Sequence, residues 1–442
     1  MFKYSNYLFM YPNDFSYINL SLVPDLYDII HELHDKSDST INNKYLKCNY
    51  KLGNSYKIIQ YNKDILSLEL IPTYGLCRSI VVNSKNDVVS FAPPKSVPAE
   101  TFIENYSIKN LFVVAEEFIE GTMVNVFWDS SIGAWEIATR NSVTANTTFY
   151  KSVKTCSTDK TFRMMFLEAC LENNVNLSVF NKNCCYSFVL QHPENRIVVP
   201  FQKTELYLVS VYIIDNNIEK KMVTIKNIYL DKLSSENLMT NDLSIYLGLQ
   251  NTSVKFPKKI DTTCNTYSSL IETYGSMNTP YNILGVVIYN KNTGERTKIR
   301  NPVYEEVRQL RGNQPKLQYQ YLNLRHQGKI SEFLKYFPEN KKEFSNFRDQ
   351  VHLFTNTLFL NYLACYIKKE KPLLEYSEQY RTHMFQLHQK YLKELRDSKD
   401  FVTKIVVQKY VNELQPALLM YTLNYSLRQS STHFFYNFVK TK

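Results

Sequence analysis

Short runs of apolar and β-branched residues alternate with polar residues through the first two thirds of the chain. Clusters of Asn, Asp, Ser, Gly and Pro separate these runs. Runs of this length and composition, bounded by turn residues, predict strands of largely antiparallel sheets. Between residues 45 and 305 the predicted strands are KIIQY, SIVVN, NVFWD, FVLQ, RIVVPF, LYLVSVYII and GVVIYN.

The period of the apolar residues changes to three and four in the last third of the chain. Residues 347–370 and 383–398 carry Leu, Phe, Tyr and Met at this spacing, which predicts long helices with one buried face. Shorter helices are predicted over 24–35, with a loop to residue 44, and over 161–173.

These patterns predict an α+β protein in three parts. An N-terminal helical segment and linker occupies residues 1–44, a strand-rich domain residues 45–307, and an all-helical domain residues 308–442. With 442 residues, 44% of them hydrophobic and 21% charged, the chain can bury a large core and does not have the composition of a disordered protein.

Targeting signals are not evident in the sequence. The N-terminal residues MFKYSNYLFMYPNDF lack the basic and then apolar layout of a signal peptide. No apolar run approaches the roughly 18 residues that a membrane span needs. We therefore expect an intracellular, cytoplasmic protein without a membrane partner.

The net charge of +10 is concentrated in the predicted helical domain. From Arg308 onward there are 22 Lys and Arg residues against 11 Asp and Glu, whereas the first 307 residues hold 30 against 31. Such an excess favours contact with a polyanion, RNA or DNA. Solvated helix faces that keep the protein soluble are the alternative explanation.

No metal site is predicted. The eight cysteines form no Cys-x-x-Cys motif, and His31 with His34 has no third ligand nearby in the sequence.

Five segments of the strand-rich region form an ordered set. They are EEFIEGTMVNVFWD (116–129), WEIATRNSV (135–143), FVLQHPENRIVV (188–199), LGVVIYN (284–290) and RTKIRNPVY (296–304). Their order and spacing resemble the nucleotidyltransferase motifs of the bacteriophage-type RNA ligase family, over about residues 75–310. The resemblance implies an antiparallel-rich nucleotidyltransferase core, and phage members of that family also carry a helical C-terminal domain.

The residues of the covalent chemistry differ from the family pattern. Members of the family attack the nucleotide α-phosphate with a lysine amine and use glutamates to bind metal and ribose. The resemblance places Phe118 at the nucleophile position, and Val189 and Leu284 at the glutamate positions. An aromatic ring cannot form a phosphoramidate, so catalytic activity is left undecided.

The positions that the resemblance assigns to nucleotide and phosphate binding are mostly retained. Lys298 and Arg300 are two apart on a predicted strand, so both side chains point to the same side of the sheet. The predicted phosphate- and nucleotide-binding residues are Arg78, Lys95, Glu120, Gly121, Arg140, Gly285, Lys298, Arg300 and Tyr304.

A second basic segment, RQLRGNQPKLQYQYL, follows the motifs. Arg308, Arg311 and Lys316 lie there among Gln, Asn and Tyr, a mixture that suits the backbone and stacked bases of a single strand. An interdomain linker whose tyrosines pack on both sides explains the same composition.

Three functions are compatible with the sequence. In the first, the chain is a catalytically degenerate RNA ligase-like protein that binds RNA, DNA or nucleotide phosphates. In the second, it is an active ATP- and Mg²⁺-dependent ligase with a relocated nucleophile, for which Lys95 is the first candidate. In the third, which has the least support, it is a protein-interaction module with a vestigial cleft. The composition and the divergent motifs favour an AT-rich genome, such as that of a large DNA virus, as the source.

Overall fold

A computed structural model describes residues 15–31, 43–52, 55–148, 159–217 and 219–429 of the chain. Within these ranges the chain forms two compact units. A strand-rich unit extends to Arg308, and a helical unit begins at Gln309. The boundary falls one residue after the start of the predicted helical domain.

Fifteen strands lie in the described ranges, and all belong to the strand-rich unit. They are β1 (Phe15–Asn19), β2 (Leu46–Lys51), β3 (Tyr56–Tyr61), β4 (Ile80–Val82), β5 (Val88–Phe91), β6 (Val113–Glu117), β7 (Thr122–Asp129), β8 (Ala134–Thr139), β9 (Ser142–Val143), β10 (Cys184–Gln191), β11 (Glu205–Asn217), β12 (Met222–Ile228), β13 (Lys259–Ile260), β14 (Gly285–Asn290) and β15 (Arg296–Arg300).

Twelve α-helices lie in the same ranges. They are α1 (Leu26–His31), α2 (Ala99–Asn105), α3 (Phe162–Glu172), α4 (Asp242–Leu247), α5 (Tyr267–Tyr274), α6 (Pro302–Arg311), α7 (Leu317–Gln327), α8 (Ile330–Tyr336), α9 (Lys341–Tyr362), α10 (Glu378–Lys390), α11 (Lys404–Glu413) and α12 (Pro416–Leu423).

Three antiparallel sheets organise the strand-rich unit. The large sheet has the order β1-β12-β11-β10-β7-β8-β9, the small sheet β2-β3-β4-β5, and a third sheet, called the site sheet below, β13-β6-β14-β15. One face of the large sheet buries Phe188 against Phe166 of α3. Its other face buries Phe127 against Ile58 of the small sheet, so apolar side chains cover both faces of the large sheet.

The described part of the predicted N-terminal segment belongs to the core. β1 pairs with β12 at the edge of the large sheet, and Leu26 and Ile29 of α1 are buried in the adjoining core. The fully buried Lys57 donates from its ammonium to the carbonyls of Ile29 and Ile30, at 3.2 and 2.7 Å, and so satisfies the C-terminal end of α1. Residues 15–31, which the sequence assigns to an N-terminal segment over residues 1–44, thus pack into the strand-rich unit, and residues 32–42 lie outside the described ranges.

The α+β fold class with a helical C-terminal region is confirmed. The predicted strand RIVVPF is wrong, because β10 ends at Gln191 and residues 192–204 form a loop. The apolar side chain of Val198 in this loop is fully buried, which is why the segment resembles a strand in sequence.

Long helices occupy the helical unit, as the apolar spacing predicts. α9 continues beyond Tyr362 as a π-helical turn over Leu363–Ile367, and α10 continues as a second over Tyr391–Leu395. The buried residues of α9 include Phe344, Phe347, Val351, Phe354 and Leu358, which recur every three or four residues. Among the described helices, none combines the length and the apolar character needed to cross a membrane.

Candidate functional site

The connection from the site sheet to the large sheet contains the aromatic ring of Phe118. Phe118 follows β6 directly, its backbone N–H donates to the carbonyl of Gly285 at 3.2 Å, and its side chain is half-buried. The Lys298 ammonium lies 4.2 Å and the Arg300 guanidinium carbon 5.5 Å from the centre of the ring. The residue at the predicted nucleophile position therefore contacts two of the cations predicted to bind phosphate.

Strand register places these cations on one face of the site sheet. Val287 of β14 pairs with Lys298 on one side and with Glu116 of β6 on the other. Tyr289 pairs with Arg296 in the next row of the same face. The opposite face buries Ile299 and other apolar residues against α2 and α5, which leaves the polar face for a ligand.

Lys298 has an unusual protonation equilibrium. Burial is the main cause that lowers the pKa of its ammonium to about 5, and the nearby charges of Arg296, Arg78, Arg300 and Lys95 contribute to the same shift. Since positive charges lie on several sides, the amine is mostly neutral at pH 7 in the free protein. An anion bound among these residues would favour the charged ammonium.

The other predicted cations join this cluster through electrostatic interactions. Burial, together with the charges of Arg296 and Arg140, lowers the pKa of the Arg78 guanidinium to about 10. Lys95 is exposed, and its backbone N–H donates to the Gly75 carbonyl at 2.9 Å. Arg140 lies 5.4 Å from the ring centre of Tyr61.

Two further cations, Arg296 and Lys63, were not predicted from the sequence. Arg296 lowers the pKa values of both Lys298 and Arg78, and Arg140 is the main cause of a lowered pKa at Lys63. Arg296 lies two residues before Lys298 on the same strand face, so its spacing could have revealed it. Nothing in the sequence around Lys63 connects it with this site.

Ion pairs are few within the described part of the cluster. Among the described residues of this group, Arg300 alone has an ion pair, which it makes with Glu305. Glu305 also lies 3.6 Å from Arg308. A concentration of cations with so few partners is suited to a ligand that carries several negative charges.

Glu120 anchors a loop in the protein. This buried carboxylate accepts from the backbone N–H of Val198 at 2.7 Å and of Val199 at 3.1 Å. Burial raises its pKa to about 7, and the two backbone donors oppose that rise. Asn195 donates to the Thr122 hydroxyl at 2.7 Å, so the EGT and PENRIVV segments hold each other in place.

The two predicted glycines are required by the backbone. Gly121 has φ +149° and Gly285 has φ +135°, where side chains are unfavourable. A Cβ atom at Gly121 would lie 2.5 Å from the Leu190 carbonyl oxygen, and one at Gly285 would lie 2.1 Å from that of Ile299. Both glycines therefore allow the close approach of strands that carry the site.

The site does not fit a Mg²⁺ ion. Val189 and Leu284, at the positions of the expected glutamates, are buried apolar side chains. In the described ranges, no group of three or more His, Cys, Asp or Glu residues is arranged to hold a metal. Hard divalent cations prefer carboxylate oxygens, whereas ammonium and guanidinium groups dominate here.

Tyr304, predicted to bind nucleotide, is 2% exposed, and burial raises the pKa of its hydroxyl above the ordinary range.

A cavity of about 700 Å³ adjoins the cluster at Arg296. Its volume is within the range of small-molecule sites, roughly 300–1,000 Å³. Tyr207, Tyr289, Glu116 and Asp231 are among the residues that line it. Burial raises the pKa of Glu116 to about 7, and the charge of Arg296 opposes the rise.

Two buried polar atoms of the cavity residues have no hydrogen-bond partner in the described part of the chain. They are Oδ1 of Asp231 and Nε of Arg296. The other oxygen of Asp231, Oδ2, pairs with the Lys291 ammonium at 3.0 Å. A buried acceptor and a buried donor favour a ligand that has both kinds of group.

The three basic residues of the second segment are divided between the two units. Arg308 lies in the strand-rich unit beside Glu305, and electrostatically it opposes the raised pKa of Glu120. Arg311 ends α6, and Lys316 is an exposed residue immediately before α7. Both of these belong to the helical unit.

Comparison with known proteins supports a relationship over part of the chain. No protein-family model matches the sequence. A stretch of 102 residues is 31% identical to the RNA ligase of Rhodothermus phage RM378, covering 22% of this chain and 23% of the phage protein. The match thus spans less than a quarter of the phage protein, and it supports an RNA ligase-like nucleotidyltransferase fold.

Solved structures of the Naegleria gruberi RNA ligase align with about half of this chain. The structure with PPi covers 49% of this chain and 57% of its own, at 13% identity and a TM-score of 0.31. A mutant with AMP and Mn has the same coverage, 14% identity and a TM-score of 0.31. A mutant with ATP and Mn covers 45% and 51%, at 13% identity and a TM-score of 0.28.

Proposed function

We propose that this chain is a catalytically degenerate RNA ligase-like protein that binds the phosphates of a nucleotide or nucleic acid. The observation that carries the proposal is the Lys298 ammonium, which lies over the Phe118 ring within a group of cations. The group has the charge for phosphate, while the position of the expected nucleophile carries an aromatic ring. RNA or DNA is the proposed partner.

The adjoining cavity supports a nucleotide as one form of this ligand. Arg296 belongs both to the cation cluster and to the lining of the cavity. A base or sugar has donors and acceptors that could pair with Arg296 Nε and Asp231 Oδ1, while the phosphates lie near Lys298. Tyrosine side chains on the lining offer faces for stacking.

A double substitution tests the phosphate site. Lys298→Ala with Arg300→Ala should weaken binding of ATP, measured by calorimetry in EDTA, by about 2 kcal/mol or more, because two charge-assisted contacts are lost. Lys226→Ala is the matched control, since the Lys226 ammonium lies 3.9 Å from the ring centre of Phe15, away from the cluster. Equal affinities for ATP in the wild type and the folded double variant would show that the phosphates bind at another site.

An active nucleotidyltransferase is the second candidate, and the neutral amine of Lys298 favours it. In such a reaction Lys298 Nζ would attack the α-phosphorus of ATP, an N–P bond would form, pyrophosphate would leave, and the amine proton would pass to solvent. Lys95, the first candidate from the sequence, is exposed and lies on the same cationic cluster. An acid-labile adduct lost in Lys298→Ala and kept in Lys95→Ala would identify Lys298 as the nucleophile, and the reverse would identify Lys95.

A further inference from the structure

A polar groove lies between helices of the helical unit. It has a volume of about 230 Å³ and is lined by side chains of α7, α9 and α11. This volume is below the roughly 300–1,000 Å³ typical of sites for drug-sized ligands, so the groove fits a small group.

Helical spacing aligns its donors. His352 and Asn356 are four residues apart on α9, and Lys404 and Gln408 are four apart on α11. Residues at this spacing lie on one face of a helix, so each helix presents a short polar row to the groove. Arg325 of α7 joins these rows, and no acidic residue is among the described residues of the lining.

Most of these donors are available to a ligand. Within the described part of the chain, the side chains of His352, Asn356, Lys404 and Gln408 have no hydrogen-bond or ion-pair partner, and all four residues are exposed. Arg325 donates one N–H to the Asn412 side chain, which leaves further guanidinium donors. Burial lowers the pKa of Arg325, and an anion would offset that unfavourable burial of charge.

We propose that this groove binds one phosphate group of a nucleic-acid strand. Guanidinium and ammonium groups surrounded by amides match the geometry and charge of a phosphate. A strand is favoured over a free phosphate ion because the lining residues are mostly exposed, so a continuous backbone can pass. From residue 308 onward the chain also holds 22 basic against 11 acidic residues. The inference rests on the proposed nucleic-acid binding and gives the helical unit its own contact with the strand.

The test is a salt titration of a fluorescent single-stranded RNA with the full chain. Lys404→Gln should weaken binding about tenfold and reduce the slope of log K against log salt by about 0.7, the value for one phosphate contact on a single strand. Lys409→Gln is the matched control, because Lys409 is exposed on the same helix and is not part of the lining. It should leave the slope unchanged.

Either of two other outcomes would contradict the proposal that the groove binds a phosphate of a strand. If Lys404→Gln and Lys409→Gln have the same effect, the strand does not contact the groove. If inorganic phosphate raises the melting temperature of the wild type but not of Lys404→Gln, while RNA binding is equal in both, the site takes a free anion. ATP binding measured in the same variants separates the two proposals, since it depends on Lys298 and should be unchanged by Lys404→Gln.

Discussion

At the scale of single residues, the contact between Phe118 and Lys298 contains two opposing tendencies. The face of an aromatic ring stabilises a nearby ammonium by roughly 0.5–2 kcal/mol. Burial and the four neighbouring cations disfavour the same ammonium, and they dominate because the pKa of Lys298 is lowered to about 5. A bound phosphate would reverse the balance, since it supplies the opposite charge that the cluster lacks.

Phosphate binding should therefore take up a proton at Lys298. In the free protein the amine is neutral above about pH 5. A ligand that favours the ammonium gains affinity as the pH falls from 8 to 6, by up to about tenfold per pH unit for one proton. The measurement is the affinity for a dinucleotide phosphodiester, whose own charge is constant over this range.

Two variants test whether Lys298 is the group that takes up this proton. Lys298→Arg keeps the charge at every pH and should flatten the profile. The contribution of Glu116 to the pH dependence must be measured separately. The pKa of this cavity carboxyl is raised to about 7, so it becomes negatively charged as the pH rises and also weakens the binding of an anion. The Lys298 assignment fails if Glu116→Gln alone abolishes the dependence, or if Lys298→Arg keeps the wild-type slope.

The sequence-based prediction names several residues whose contacts only the structure shows. Glu120 and Gly121 were predicted to bind nucleotide, but the carboxylate accepts two backbone hydrogen bonds and the glycine allows a close backbone contact. Tertiary contacts of this kind have no signature in local spacing. Asp231 was not found because it lies in a loop far in sequence from Arg296, and only folding brings both to one cavity.

At the scale of elements, runs of apolar residues correctly predicted strands such as β3, β11 and β14 but failed at RIVVPF. That segment is held by hydrogen bonds from the backbone of Val198 and Val199 to Glu120, outside any sheet. β1 was not predicted, although it pairs over five residues with β12. Its pairing is long-range, so the short sequence FSYIN contains little evidence of it.

Replacing Glu120 should destabilise the loop that follows β10. Glu120→Ala leaves the N–H groups of Val198 and Val199 without their acceptor and should cost about 1–3 kcal/mol of unfolding free energy, measured by urea denaturation. Glu117→Ala is the control, because Glu117 is exposed on the neighbouring strand. Equal losses in the two variants would show that the hydrogen bonds of Glu120 do not stabilise the loop.

Replacing Gly285 should disturb the pairing of β14 with β15. In Gly285→Ala the new Cβ meets the Ile299 carbonyl oxygen at 2.1 Å, so the strand carrying Lys298 must shift. We expect a lower melting temperature together with weaker ATP binding. Gly133→Ala is the control, because Gly133 also has a positive φ, +63°, yet a Cβ there has no neighbour within 4 Å. Similar melting temperatures for the two variants would exclude the steric explanation.

At the scale of the whole molecule, the two units differ in how their positive charge is distributed. All of the excess positive charge lies from residue 308 onward, whereas the cluster around Lys298 is a local concentration within a chain segment that is close to neutral. Composition could predict the first feature, but not the second, which depends on strand register. A protein-interaction module would show no salt-dependent binding of nucleic acid, in contrast to both proposals made above.

The most direct test of the central claim is incubation with α-labelled ATP and GTP, in Mg²⁺ or Mn²⁺, followed by a denaturing gel. We predict that no label stays on the protein, because Phe118 cannot form a phosphoramidate, while native binding of the same nucleotides is retained and falls in the Lys298→Ala, Arg300→Ala variant. A retained, acid-labile label would contradict the loss of the covalent step and identify an active nucleotidyltransferase.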